Sequence, residues 1–267
     1  MSAVRLCDKE IPPIGMGTWG MGGGFWTPDY SSDDLYVDAL RYALSRGIRL
    51  FDTAEMYGGG HTEEIVGRAL REHEDEVLIV SKVWPNHLRR DDLIRSALAS
   101  RARLGVRSID LYLIHWPSRE VPIQESIRAM EDLIDMGVIR CMGVSNFDVK
   151  LLQEAMTSAR KYEVVADEVE YNVYHKDPER ELIPFARRNN VAIIAYSPLA
   201  RGAVSRDPTL RAIASKHNAT PVQVALAYLT RTSMPIPKAS RKEHIDEIVG
   251  ALNLRLGDED VRLISSL

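Results

Sequence analysis

The chain has 267 residues, a net charge of −4 and a pI near 6.0, with 45% hydrophobic and 27% charged residues. That is enough apolar material for one large α/β domain, without the basic footprint of a nucleic-acid binder or the run of about eighteen apolar residues that a membrane span requires. The first ten residues carry Arg5, Asp8, Lys9 and Glu10 in place of a signal core. The two cysteines, Cys7 and Cys141, are too few for a secreted disulfide scaffold, so a cytoplasmic protein with isolated, reduced thiols is expected.

In chain order, residues 4–6 and 10–11 around Asp8-Lys9 read as a small hairpin. Short apolar runs follow at 14–16, 49–52, 77–82, 109–114, 139–144, 165–169, 192–195 and 234–237. Helix-period stretches lie between them at 33–46, 61–71, 91–104, 123–136, 149–159, 179–189 and across 210–230, with two more from Lys242 and from Asp258. Ser32, Thr220 before Pro221, and Gly257 supply helix-start chemistry. The runs Val77-Leu-Ile-Val and Ile109-Asp-Leu-Tyr-Leu-Ile have the apolar character of strands buried on both faces. Eight strand–helix units in one chain of this length predict a closed (β/α)8 barrel, and no linker or charge block divides it, so residues 1–267 are expected to be a single domain. The hairpin is expected across the barrel floor.

Gly15-Met-Gly17-Thr-Trp-Gly20 matches the G-x-G-x-x-G dinucleotide fingerprint. That fingerprint needs a helix to open at once and hold the pyrophosphate at its N-terminus. Here the chain runs on through Gly22-Gly-Gly24, Phe25, Trp26 and Pro28. A flexible glycine loop at a barrel mouth is the better reading.

Barrel enzymes place their chemistry at the C-terminal ends of strands. Those ends carry Asp52, Lys82, His115, Ser145 with Asn146, Glu168, Tyr196 and Lys238. Converging polar groups predict a pocket. The seven histidines show no H-x-H or H-E-x-x-H spacing, so no metal site is expected.

The local motifs then become specific. Phe51-Asp-Thr-Ala-Glu-Met-Tyr57-Gly, Ser81-Lys82-Val-Trp84, Leu113-Ile-His115-Trp116-Pro, Gly143-Val-Ser145-Asn146-Phe, Val169-Glu-Tyr-Asn172, Ala195-Tyr196-Ser197-Pro-Leu199 and Ile236-Pro-Lys238 occur in that order. Together they resemble the aldo-keto reductase family. The resemblance runs from about Ile14 to Leu254, and it implies reduction of small carbonyl compounds by a nicotinamide cofactor. It also implies a catalytic set of Asp52, Tyr57, Lys82 and His115. Carbonyl reduction needs a proton donor facing the developing alkoxide. Tyr57 suits that role because a phenol, with a reference pKa of about 10, keeps its proton at neutral pH. An adjacent Lys82 ammonium stabilises the phenolate, Asp52 keeps Lys82 charged, and His115 orients the substrate oxygen.

The resemblance further implies cofactor contacts at Gly17, Thr18 and Asp52, a carboxamide site at Ser145, Asn146 and Glu168, and a stacking ring at Tyr196 beside Ser197 and Leu199. Glu168 stands where the family usually has Gln, and a carboxylate accepts hydrogen bonds but cannot donate one. Lys238 is placed beside the adenosine 2′-phosphate, with Ser240, Arg241 and His244 nearby. The family's usual serine, arginine and asparagine are replaced there by Ala239, His244 and Ile248, so NADP is expected with a reduced margin over NAD. Trp19, Trp84 and Trp116, with Tyr57 and His115, are expected to wall the substrate pocket. The chain ends soon after its last helical segment, and the loops after His115 and Tyr196 are short, which predicts an open pocket. Aldoses and 2-oxoaldehydes such as methylglyoxal are the candidate substrates. A non-catalytic cofactor sensor on the same barrel is the alternative function, and a monomer is favoured over an oligomer.

Overall fold

The computed structural model describes residues 3–267. A hairpin of β1 (Val4–Leu6) and β2 (Lys9–Ile11) precedes the parallel strands β3 (Met16–Gly17), β4 (Leu50–Asp52), β5 (Leu78–Val83), β6 (Ile109–Ile114), β7 (Ile139–Ser145), β8 (Val164–Glu170), β9 (Ala192–Tyr196) and β10 (Met234–Pro235), which pair in sequence order. The connecting helices are α1 (Asp33–Ser45), α2 (His61–Leu70), α3 (Arg90–Leu104), α4 (Ile123–Asp135), α5 (Val149–Ser158), α6 (Leu182–Arg188), α7 (Pro208–Lys216), α8 (Pro221–Leu229) and α9 (Lys242–Gly250), and α10 (Asp258–Ser265) ends the chain. The fold is the expected (β/α)8 barrel.

Its seam explains two glycines of the discarded fingerprint. Gly15 N donates to Pro235 O at 3.0 Å and Gly17 N to Pro237 O at 3.1 Å, joining the first barrel strand to the last. Proline has no N–H to return, so every seam bond comes from the glycine side and the two backbones lie close. A Cβ on Gly17 would sit 2.7 Å from Ile236 O, and one on Gly15 would meet Leu50 and Ile236.

Strand alternation sorts the core into two sets. Leu50, Val80, Leu113, Ala166, Ile194 and Ile236 face the barrel interior with Leu6 and Ile11 of the hairpin, while Phe51, Ile79, Tyr112 and Ile193 pack outward against the helices. The hairpin therefore closes the floor, and Lys9 Nζ anchors it to Asp110 Oδ1 at 2.7 Å. Cys7, in the hairpin turn, lies beside Cys141 of β7 with the Cα atoms 5.8 Å apart. The expectation of isolated cysteines is corrected: 134 residues of sequence separation conceal a pair of adjacent positions on the barrel floor.

Three element boundaries also differ from expectation. The 210–230 stretch is two helices, because Asn218 turns left-handed at φ 51° and Thr220 starts a new helix. Thr220 Oγ1 accepts from Gln223 N while Gln223 Oε1 accepts from Thr220 N. Helix α6 starts three residues later than expected, since Asp177–Glu179 forms a separate 3-10 turn and the Glu179 carboxylate accepts from Tyr171 and Tyr228. The first barrel strand begins at Met16, two residues after the predicted start. No helix is long and apolar enough to cross a membrane among the described residues.

Asp167, on β8, is wholly buried with both carboxylate oxygens lacking a hydrogen-bond partner. Burial raises its pKa to about 8, against a smaller opposing effect of the Phe147 backbone. Between the ordinary carboxylate value and about 8 the folded chain keeps a proton that the unfolded chain has lost, so Asp167 subtracts stability as pH rises through that window. Asp167→Asn is therefore expected to melt progressively higher than wild type from pH 5 to pH 8, by several degrees at the upper end, with the two curves converging near pH 4. A melting-point difference independent of pH contradicts the assignment.

Candidate active site

The interior apolar layer ends where the polar site begins. Two residues beyond Leu50, Val80, Leu113, Gly143, Ala166, Ile194 and Ile236 lie Asp52, Lys82, His115, Ser145, Glu168, Tyr196 and Lys238, on the same strand face by the period of two. They line one cavity of about 840 Å³ together with Gly17, Asn146, Ser197, Leu199, His244 and the loop carrying Tyr57, although Lys82 itself lies beneath its floor.

Lys82 is fully buried. Its ammonium donates to Asp52 Oδ2 at 2.6 Å, to Thr53 O at 3.0 Å and to Tyr57 Oη at 3.4 Å. Burial alone would neutralise this amine, but the adjacent Asp52 carboxylate opposes it and holds the pKa above the ordinary lysine value. Burial also raises the Tyr57 phenol, opposed by Lys82. Tyr57 is thus a held proton donor with a cation positioned to receive its negative charge.

Thr18 was expected at the cofactor. It instead lies buried beneath the cavity, donating from both its backbone N (3.0 Å) and Oγ1 (2.8 Å) to Asp52 O, and so positions the carboxylate. Ser145 Oγ donates to Glu168 O at 2.8 Å, and Asn146 Nδ2 donates to His115 O at 3.0 Å. Asn146 sits in the left-handed region at φ 62°, and its Oδ1 accepts from Tyr196 Oη at 2.8 Å. Lys238 and His244 also line the cavity, whereas Ser240 and Arg241 do not; Arg241 pairs with His244 Nε2 at 2.6 Å.

All five expected pocket residues line the cavity, and sequence reasoning missed Phe25 and Met56. The rings form a connected wall: Trp19 lies 5.0 Å from Tyr57 and 4.9 Å from Phe25, Trp84 lies 5.3 Å from His115, and Trp26 packs on Trp84 at 6.1 Å. The glycine loop expected to be flexible is tethered. Trp26 N donates to Met56 O at 3.0 Å, Gly58 N to Gly24 O at 2.7 Å, and Asp29 N to Gly22 O at 2.9 Å. These bonds tie the aromatic mouth to the segment that carries Tyr57. The available signal was Phe25-Trp26 inside the glycine run.

The comparisons follow this geometry. The sequence profile of the aldo/keto reductase family matches residues 13–267. Methylglyoxal reductase YeaE of Escherichia coli (strain K12) is 34% identical over 264 residues, covering 96% of this chain and 91% of the relative. Among solved structures, a thermostable aldo-keto reductase in complex with the inhibitor epalrestat superposes with a TM-score of 0.93 at 45% identity, covering 100% of this chain and 99% of the other. The Klebsiella pneumoniae aldo-keto reductase in complex with NADPH gives 0.93 at 32% identity, covering 99% and 94%. The chain belongs to the aldo/keto reductase family and is an oxidoreductase acting on carbonyl compounds.

His115 is buried between Trp84 and Tyr57, and its Nδ1 has no partner among the described residues. Burial first, and the Lys82 charge second, lower its pKa to about 2. A pKa lowered this far favours the neutral ring near pH 7. In an NMR titration from pH 8 to pH 4, the ring signals missing from His115→Gln are expected to stay flat. A midpoint near 6.5 contradicts this reading.

Proposed function

We propose that this enzyme reduces small aldehydes and ketones with NADPH, Tyr57 giving the proton. The observation that carries the assignment is the Tyr57 hydroxyl 3.4 Å from Lys82 Nζ, which is itself 2.6 Å from Asp52. The cavity suits the cofactor: a half-exposed tyrosine ring (Tyr196), Glu168 with an unpartnered carboxyl oxygen, and a lysine (Lys238) all line it. When bound, the nicotinamide supplies the hydride.

The protein's own residues do the rest. His115 and Tyr57 hold the carbonyl oxygen, and the phenol proton passes to that oxygen as negative charge develops on it. Lys82 stabilises the phenolate left behind, and Asp52 keeps Lys82 charged throughout. Lys82, Asp52 and Tyr57 are themselves buried, which strengthens each of these interactions.

The reacting end is walled by Trp19, Phe25, Met56, Trp84 and Trp116, with Tyr57 and His115 as its polar groups. Such walls favour compact or aryl carbonyl compounds, including 2-oxoaldehydes, over polyhydroxylated aldoses. Because one missing apolar contact alters kcat/KM by only about 1–3 kcal/mol, unrelated small aldehydes are expected within about two orders of magnitude of one another. A panel assayed with NADPH and NADH separately, followed by loss of cofactor absorbance, tests the reading. Turnover of a single aldehyde and no other would contradict the open pocket.

Two variants test the assigned roles. Tyr57→Phe is expected to keep its fold and NADPH affinity while single-turnover reduction slows by about 10²–10⁴; near wild-type rates would remove Tyr57 from the chemistry. Lys238→Ala is expected to weaken NADPH by about one to two decades, the worth of one charge-assisted hydrogen bond, and NADH little. Fluorescence titration with equal losses for both cofactors would make Lys238 structural.

A further inference from the structure

Glu168 is the buried group whose charge state the reaction scheme above leaves open. It is 2% exposed on the inner face of β8 and faces Asp52 at the end of β4, Lys82 of β5, Tyr57 from the following loop, and Tyr196 of β9. Lys82 is the single cation among them. Its ammonium contacts Asp52, Thr53 O, Tyr57 and, at 3.3 Å, Glu168 Oε1, so one cation serves two carboxyl groups. Oε2 is buried with no hydrogen-bond partner. Ser145 Oγ and Asn146 N both donate to the Glu168 backbone carbonyl and leave the carboxyl unsatisfied. His115 is neutral and adds no positive charge.

Two carboxylates and one ammonium in a dry site leave an uncompensated buried negative charge, which neutralises by taking up a proton rather than persisting. We propose that Glu168 is a neutral carboxylic acid in the working enzyme, its proton directed to the Asp52 carboxylate and its other oxygen left as an acceptor facing the cavity. Burial first and the Asp52 charge second push the Glu168 pKa well upward, against the opposing Lys82 ammonium. The proton has two consequences. Asp52 and Lys82 form a pair of zero net charge, so the ammonium's field on Tyr57 is not offset by a second carboxylate 3.3 Å away. The free oxygen becomes equivalent to an amide carbonyl, an acceptor for the N–H groups of a carboxamide.

The role toward a carboxamide rests on the nicotinamide reading above, but the proton itself does not, and the experiment uses cofactor-free protein. Infrared difference spectra at pH 7 between wild type and Glu168→Gln are expected to show the loss of one protonated-carboxyl C=O stretch. Loss of a carboxylate band pair instead overturns the proposal. In Asp52→Asn one carboxyl group and one ammonium remain, 3.3 Å apart, so Glu168 is expected to ionise and the acid band to be lost; an acid band that persists unchanged overturns the dependence of the proton on Asp52. NADPH titration of Glu168→Gln is expected to give an affinity within about threefold of wild type at pH 7. A loss beyond tenfold overturns the amide-like role while leaving the infrared result to judge the proton separately.

Discussion

The buried contact between Lys82 Nζ and Asp52 Oδ2 is the interaction on which the rest of the site depends. An isolated ammonium in a protein interior would give up its proton, and an isolated carboxylate would take one up. Held 2.6 Å apart with almost no solvent exposure, each keeps the other ionised. Thr18 fixes the Asp52 backbone from below, and Thr53 O takes one of the lysine's protons. The remaining direction of the ammonium points at the Tyr57 hydroxyl. The phenol is therefore strongly held at rest and has a charge acceptor already oriented for the moment its proton leaves, so no reorganisation is needed during the reaction.

The barrel explains how such an arrangement is affordable. Its interior is filled by aliphatic side chains up to Val80, Leu113 and Ile194, and the polar layer is the next inward position on each strand. One residue of register would turn every one of these groups into the helix layer. The seam glycines let β3 and β10 close the ring, and the hairpin with Lys9 seals the floor. These features hold the strand ends rigidly, while the tethered aromatic loop covers them from above.

Much of this was legible in the sequence because strand ends are read by a fixed periodicity. Once Leu50-Phe-Asp52 and Val80-Ser-Lys82 are taken as buried strands, Asp52 and Lys82 must share a face. The expectations that failed concern contacts made across the sequence. Nothing local distinguishes Thr18 as a support for Asp52 from a cofactor ligand. Cys7 and Cys141 become neighbours only when the hairpin folds under β7. Phe25 reaches the pocket, with Trp26 packed on Trp84, because backbone bonds to Met56 and Gly58 bring a glycine-rich loop over it. The neutrality of His115 follows from its burial beside Lys82, which no motif reports.

The central claim is that a charge pair of zero net charge, rather than the phenol alone, makes Tyr57 an effective donor. It is tested most directly by removing both charges together, as in Asp52→Asn with Lys82→Met, which leaves no uncompensated buried ion to unfold the barrel. Single-turnover oxidation of bound NADPH by a saturating aldehyde is the measurement. The account predicts a rate lower by about 10²–10⁴, the scale of general-acid and electrostatic assistance, in a protein that still binds NADPH. A double variant that reduces the aldehyde at close to the wild-type rate would contradict it.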